Sequence, residues 1–127
     1  MPYDLHIVKP SDFIRLDAHK QVDVKQSLAA LSALAKTCVQ RNVDHALLDV
    51  RDLPATLSLT DLYTLAKAFP ETGFTQHHRL AILHRFSSAE RAEMFAMFAS
   101  DHGWQVRAFE NYEEAIEWFS VDTPLGE

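Results

Sequence analysis

His84 lies three residues ahead of Ser87, and Asp49 and Asp52 follow or end an earlier apolar run, so these four side chains are the chain's best material for covalent chemistry. A serine nucleophile needs a base within hydrogen-bond reach, a third group to orient that base, and donors for an oxyanion. The residue types are present, but no nucleophile elbow or Gly-rich turn accompanies them. Three glycines in 127 residues leave little room for backbone to close around a substrate. Hydrolysis is therefore the weakest functional reading, and a non-catalytic protein is expected. Seven histidines raise metal binding as a second chemistry. His77 and His78 are adjacent and would point to opposite sides of an extended loop, while His6, His19, His45, His84 and His102 fall in different elements. No H-x-x-x-H or H-x-x-E spacing occurs and Cys38 has no companion, so no metal site is expected. Walker-type and dinucleotide-binding loops are absent, and no cofactor is expected either.

A third kind of chemistry is recognition. If the strands are parallel, their carboxyl ends share one edge, where ligands prefer to bind. That edge would carry Arg51, Asp52 and Ser58 after one strand and His84, Arg85 and Ser87 after another, giving a contact edge or shallow anion site. Ser58, Ser87 and Asn111 each have Asp or Glu three residues on, the spacing of a helix N-cap, and capping alone is a sufficient reason for them.

The elements that must position these residues are legible from periodicity. Tyr3, Leu5 and Ile7 alternate with polar neighbours, Pro10-Ser11-Asp12 reads as a turn, and Ile14, Leu16 and Ala18 mark one face of a second strand from Phe13. Asp23-x-x-Gln26 opens a helix with Val24, Leu28, Leu31, Leu34, Ala35, Cys38 and Val39 on one stripe, running to about Arg41. Ala46 to Val50 and Leu80 to Leu83 are nearly continuous apolar runs, as strands covered on both faces should be. Ser58, Ser87 and Asn111 begin the remaining helices, Pro70 stops the second, Gly103 suits a left-handed C-cap after the third, and Val106 to Phe109 is the last strand. The order is ββαβαβαβα: an α/β fold with a mostly parallel sheet, an antiparallel N-terminal strand and four helices. Phe74, after Gly73, is the aromatic hardest to bury and is expected to cover a sheet edge or pocket mouth; Met97 sits slightly off the apolar stripe of its helix.

Composition sets the limits. The chain reads as one domain over residues 1–127, with 121–127 a frayed tail; 47% hydrophobic and 24% charged residues are ordinary globular values. The net charge of −6, with Lys and Arg scattered singly, argues against nucleic acid and against an anionic membrane surface. No apolar run is long enough to span a bilayer, the first residues lack the pattern of a secretory signal, and a single cysteine forms no internal disulfide, so a cytoplasmic location is expected. The expected partner is another protein, with self-association as a homodimer through a helix face or the first strand's edge as a further expectation.

The stretch Gly103-Trp104-Gln105-Val106-Arg107-Ala108-Phe109, followed by Glu113-Glu114-Ala115-Ile116-Glu117-Trp118-Phe119, resembles the last strand and helix of the STAS family's SpoIIAA-like bacterial branch. The element order is similar over nearly the whole chain. The resemblance implies a regulatory module, related to anti-sigma-factor antagonists, that acts by docking. In regulatory members a kinase phosphorylates the Ser of an Asp-Ser pair at a helix start. Leu57-Ser58 occupies that place, which implies Ser58 as phospho-acceptor, although Leu57 stands where the family has Asp and Thr60 where it has a small residue. The alternative reading is a sensor or carrier of a small apolar or anionic ligand, with an apolar ligand held between sheet and helices near Phe69, Phe74 and Met97.

Overall fold

The computed structural model describes residues 3–8, 13–18, 23–53 and 57–120. The turn expected at 10–12, the tail at 121–127 and His19 lie outside the described residues. The elements follow the order read from the sequence: β1 (Tyr3–Val8), β2 (Phe13–Ala18), α1 (Val24–Arg41), β3 (His45–Asp49), α2 (Leu59–Ala68), a 3-10 turn (Phe69–Thr72), β4 (Arg79–Leu83), a second 3-10 turn (Phe86–Ser88), α3 (Ala89–Asp101), β5 (Gln105–Phe109) and α4 (Tyr112–Ser120).

The strands lie side by side in chain order, β1-β2-β3-β4-β5. β2 to β5 are parallel to one another, and β1 pairs with β2 antiparallel. A sheet laid down in chain order by right-handed crossovers must put every crossover helix on the same face. The register bears this out. Ile14, Ala46, Leu80 and Val106 form one row across the sheet, Leu16, Leu48, Ile82 and Ala108 the next. Both rows pack under α1, α2 and α3 with Leu31, Leu34, Leu62, Leu65 and Phe95. The opposite face is covered by α4, which lays Ala115 and Phe119 over Phe13, Leu47, Ala81 and Leu83. One nine-residue helix is too small to cover that face alone, and the part beyond it carries charge instead of apolar side chains.

Two contacts fix α4 at its C-terminal end. The buried Arg79 guanidinium donates to the Trp118 carbonyl oxygen, where a helix C-terminus favours a cation. The His45 ring stacks on Phe119 with centroids 4.9 Å apart and planes 6° from parallel. Burial first, then the nearby Arg79 charge, holds His45 below the usual histidine range, which favours the neutral form of the stacked ring.

The helix ends follow their caps. Asp23 accepts from the Gln26 amide at 2.8 Å, and Asn111 from the Glu114 amide at 3.2 Å. Ser58 and Asp61 form the reciprocal box, each side chain bonded to the other's backbone N–H at 3.1 Å. Gly103, with φ of +91°, closes α3, its own amide donating to Ser100 and the next to Ala99. Ser87 departs from expectation. It lies inside the 3-10 turn, and α3 starts only at Ala89, whose amide continues the turn by bonding to the Phe86 carbonyl. The spacing to Glu90 looked like a cap because a tight turn places a serine just before a helix as readily as a capping residue does.

Phe74 also departs from expectation. It is 4% exposed, stacked on Phe69 with centroids 5.4 Å apart and planes 5° from parallel. The backbone that turns it inward is held by Thr72, whose hydroxyl donates to the Phe69 carbonyl.

Candidate functional site

The polar side chains brought together most closely are Arg15, Asp17, Asp49 and Arg51, at the carboxyl ends of β2 and β3 on the α4 face. Parallel pairing sets Asp17 beside Asp49, with Arg15 two residues before the first and Arg51 two after the second. Residues two apart on a strand share a face, so Arg15 can reach both carboxylates. It does: its Nε donates to Asp17 at 2.7 Å and its Nη2 to Asp49 at 2.8 Å. Asp49 also accepts from the Arg51 backbone amide at 3.0 Å, from Arg51 Nε at 3.0 Å and from Arg51 Nη2 at 2.7 Å.

Burial alone would raise the Asp49 pKa. The hydrogen bonds from Arg51 and the charges of Arg51 and Arg15 outweigh it and hold the carboxyl below the usual carboxylate range. Asp49 in turn raises Arg51, chiefly through their hydrogen bonds. Tyr112, at the start of α4, sets its ring 5.7 Å from the Arg15 guanidinium. Beside the cluster opens a cavity of about 330 Å³ lined by Arg15, Asp17, Ala18, Asp49, Arg51 and Asp52.

The expected contact edge is thus only partly assembled. Arg51 and Asp52 belong to this cavity. Ser58 is exposed at the N-terminus of α2, its hydroxyl engaged in the capping box. Arg85 is exposed and donates to the Leu53 carbonyl at 3.3 Å, and Ser87 is exposed on its turn. His84 cannot line a contact edge: it is 2% exposed, with Nδ1 at 3.1 Å from the Arg85 carbonyl oxygen. A carbonyl only accepts, so that nitrogen carries the proton. No serine hydroxyl or carboxylate among the described side chains hydrogen-bonds to the ring, so His84, Ser87 and the aspartates are not brought together as nucleophile, base and orienter.

Arg15 and Asp17 are not singled out by the sequence; they lie on β2 between the apolar residues of its other face. The available signal was an opposite-charge pair two residues apart, on a strand parallel to one that ends in Asp.

Among the described residues, the place expected for an apolar ligand beside Phe69 and Phe74 is filled by side chains. The space bounded by Phe69, Phe74, Leu80, Trp104 and Val106 has no room for even one water molecule. Phe69 fills it, touching Phe74, Phe95 and Trp104 ring to ring.

Cys38 is fully buried, its Sγ 3.8 Å from the His45 carbonyl oxygen. Burial, and then the Asp44 charge, push its thiol up to about 12. A disulfide reagent at neutral pH should therefore label native protein no faster than it unfolds, and labelling in denaturant should be immediate. A fast native reaction would show that helix α1 opens without global unfolding.

No helix among the described residues is long and apolar enough to cross a membrane. No three His, Cys, Asp or Glu side chains among them gather so as to hold a metal ion.

No family model and no curated protein matches this chain. Solved structures do. An uncharacterised protein of the DUF3478 family with a SpoIIAA-like fold, from Shewanella loihica PV-4, superposes with a TM-score of 0.56 at 17% identity, over 92% of this chain and 91% of that one. This chain has a SpoIIAA-like fold. The protein TM1081, solved by NMR, is similar as well, with a TM-score of 0.54 at 14% identity, over 95% of this chain and 89% of that one. The SpoIIAA-like resemblance carried by the C-terminal strand and helix thus holds for the architecture of nearly the whole domain.

Proposed function

We propose that this SpoIIAA-like domain is a non-catalytic regulatory module that docks another protein at the pole formed by the carboxyl ends of β3 and β4. The observation that carries the reading is Phe86. It is 79% exposed, yet it stands on a turn fixed at two points to the β3–α2 connection: Arg85 donates to the Leu53 carbonyl and Arg91 to the Leu57 carbonyl at 2.6 Å. Leu59, in the first turn of α2, is 52% exposed. A large aromatic held out on a fixed turn loses little freedom when a partner covers it, and such residues anchor interfaces. Arg85 supplies a charge at the rim, where it steers a partner more than it binds one. Ser58 lies beside Leu59, so a phosphate there would place about two negative charges at the α2 N-terminus and change what this pole attracts.

A photoreactive amino acid at position 86 tests the proposal, with position 107 on the exposed side of β5 as the control. In cell extract, position 86 is expected to give one discrete adduct that excess unlabelled wild-type protein competes away and the Phe86→Asp protein does not. Equal adducts from both positions, or competition by Phe86→Asp, would contradict docking at this pole.

A further inference from the structure

We propose that His45 is an acid-sensitive latch on α4: a proton on its ring loosens the last turn of the helix from the sheet and uncovers the apolar side chains beneath. The latch lies at the opposite end of the strands from Phe86 and is independent of docking there.

Residues two apart on a strand share a face. The face under α4 therefore carries His45, Leu47 and Asp49 along β3, and Arg79, Ala81 and Leu83 along β4. His45 and Arg79 are neighbours in the ladder, and both hold the last turn of the helix. The His45 ring stacks on Phe119, and the Arg79 guanidinium donates to the Trp118 carbonyl and lies over the Trp118 ring, 5.6 Å from its centroid. A helix of nine residues is too short to persist by itself. Its order depends on these two contacts and on Ala115 and Phe119 seated over Phe13, Leu47, Ala81 and Leu83.

The stack suits a neutral imidazole. His45 is half-buried, so water reaches it, but a charge there loses part of its hydration. Arg79 already supplies the cation at this helix end, and a second one beside it is repelled. Arg79 and His78, from the β4 side, disfavour the charged ring, while Asp44, just before β3, favours it. From α1 the Cys38 thiol reaches the His45 carbonyl and stays protonated, and α4 presents Phe119 to the ring. Burial and then Arg79 outweigh Asp44, so the folded protein takes up this proton at lower pH than the unfolded chain. The stability that His45 lends is present above the unfolded value, about pH 6.5, and is lost as the pH falls through the folded value.

NMR of the labelled protein between about pH 7.5 and about pH 5 tests this, the His45 ring being assigned by the signal missing from His45→Phe. The Ala115 and Phe119 amides are expected to move toward random-coil positions with the midpoint of the His45 ring, while Leu34 and Leu65 keep their native positions. His45→Phe keeps a ring for the stack but takes no proton, and should hold α4 in place over the whole range. Asp44→Asn removes the charge that opposes Arg79 and should move both midpoints together to lower pH; should His45→Phe fail to fold, Asp44→Asn decides alone. A ring that titrates while Ala115 stays native, loss of α4 only together with Leu34 and Leu65, the same loss in folded His45→Phe, or unmoved midpoints in Asp44→Asn would each overturn the proposal.

Discussion

Asp49→Ala is expected to lower the unfolding free energy by about 3–5 kcal/mol, measured by chemical denaturation at neutral pH. The mutation removes the one buried acceptor shared by Arg15 and Arg51 and leaves two guanidiniums facing each other at the rim of the sheet. Arg51→Met should cost far less, on the order of 1 kcal/mol or below, because the Arg51 side chain is 44% exposed while that of Asp49 is only 9%. Replacing all three by Met, Leu and Met should restore most of the loss, since an apolar patch then extends the one under α4. A loss below 1 kcal/mol for Asp49→Ala would mean that the cluster forms no coupled network. The pH dependence has a fixed sign. The folded state holds Asp49 below its unfolded value, so at moderately acidic pH the unfolded chain binds more protons. This stability is fully present above about pH 4 and is lost as pH falls through the folded value. Asp49→Ala should flatten that acid limb.

Phe69→Ala should be comparably severe, costing about 3–5 kcal/mol. Phe69 is 1% exposed and is the ring on which Phe74, Phe95 and Trp104 all converge. Its removal would open an apolar cavity where the wild type has none. A dry cavity of this kind takes up small apolar molecules, so benzene should raise the melting temperature of Phe69→Ala and leave that of wild type unchanged. Stabilisation of the wild type by benzene would restore the apolar ligand site that the packed rings exclude.

The contrast between these two regions explains what the sequence could and could not reveal. Periodicity exposed the elements because each strand and helix carries its own stripe, and the N-caps at Asp23, Ser58 and Asn111 are local chemistry that needs no tertiary information. Even the unequal covering of the sheet follows from order alone, because strands laid down in sequence place all crossover helices on one side. Ser87 misled because a 3-10 turn and a cap differ only in backbone geometry. Phe74 misled because its burial depends on Phe69, which is close in sequence but reaches it only through the turn held by Thr72. His84 was assigned to an edge by its place after β4, yet a strand buried along its whole length carries its burial one residue further. The charged cluster stayed hidden for the opposite reason. Asp49 and Arg51 stand out singly in the sequence, but Arg15 and Asp17 do not, and only the register that sets Asp17 beside Asp49 makes the four one group.

Docking at the Phe86 pole is tested most directly by the affinity of the partner that crosslinks at position 86, measured by calorimetry with purified proteins. Phe86→Asp is expected to weaken binding by at least about tenfold, while Arg107→Glu on β5 leaves it unchanged and both variants remain folded. Wild-type affinity in Phe86→Asp, or an equal loss in both variants, would contradict the assignment of this pole as the docking surface.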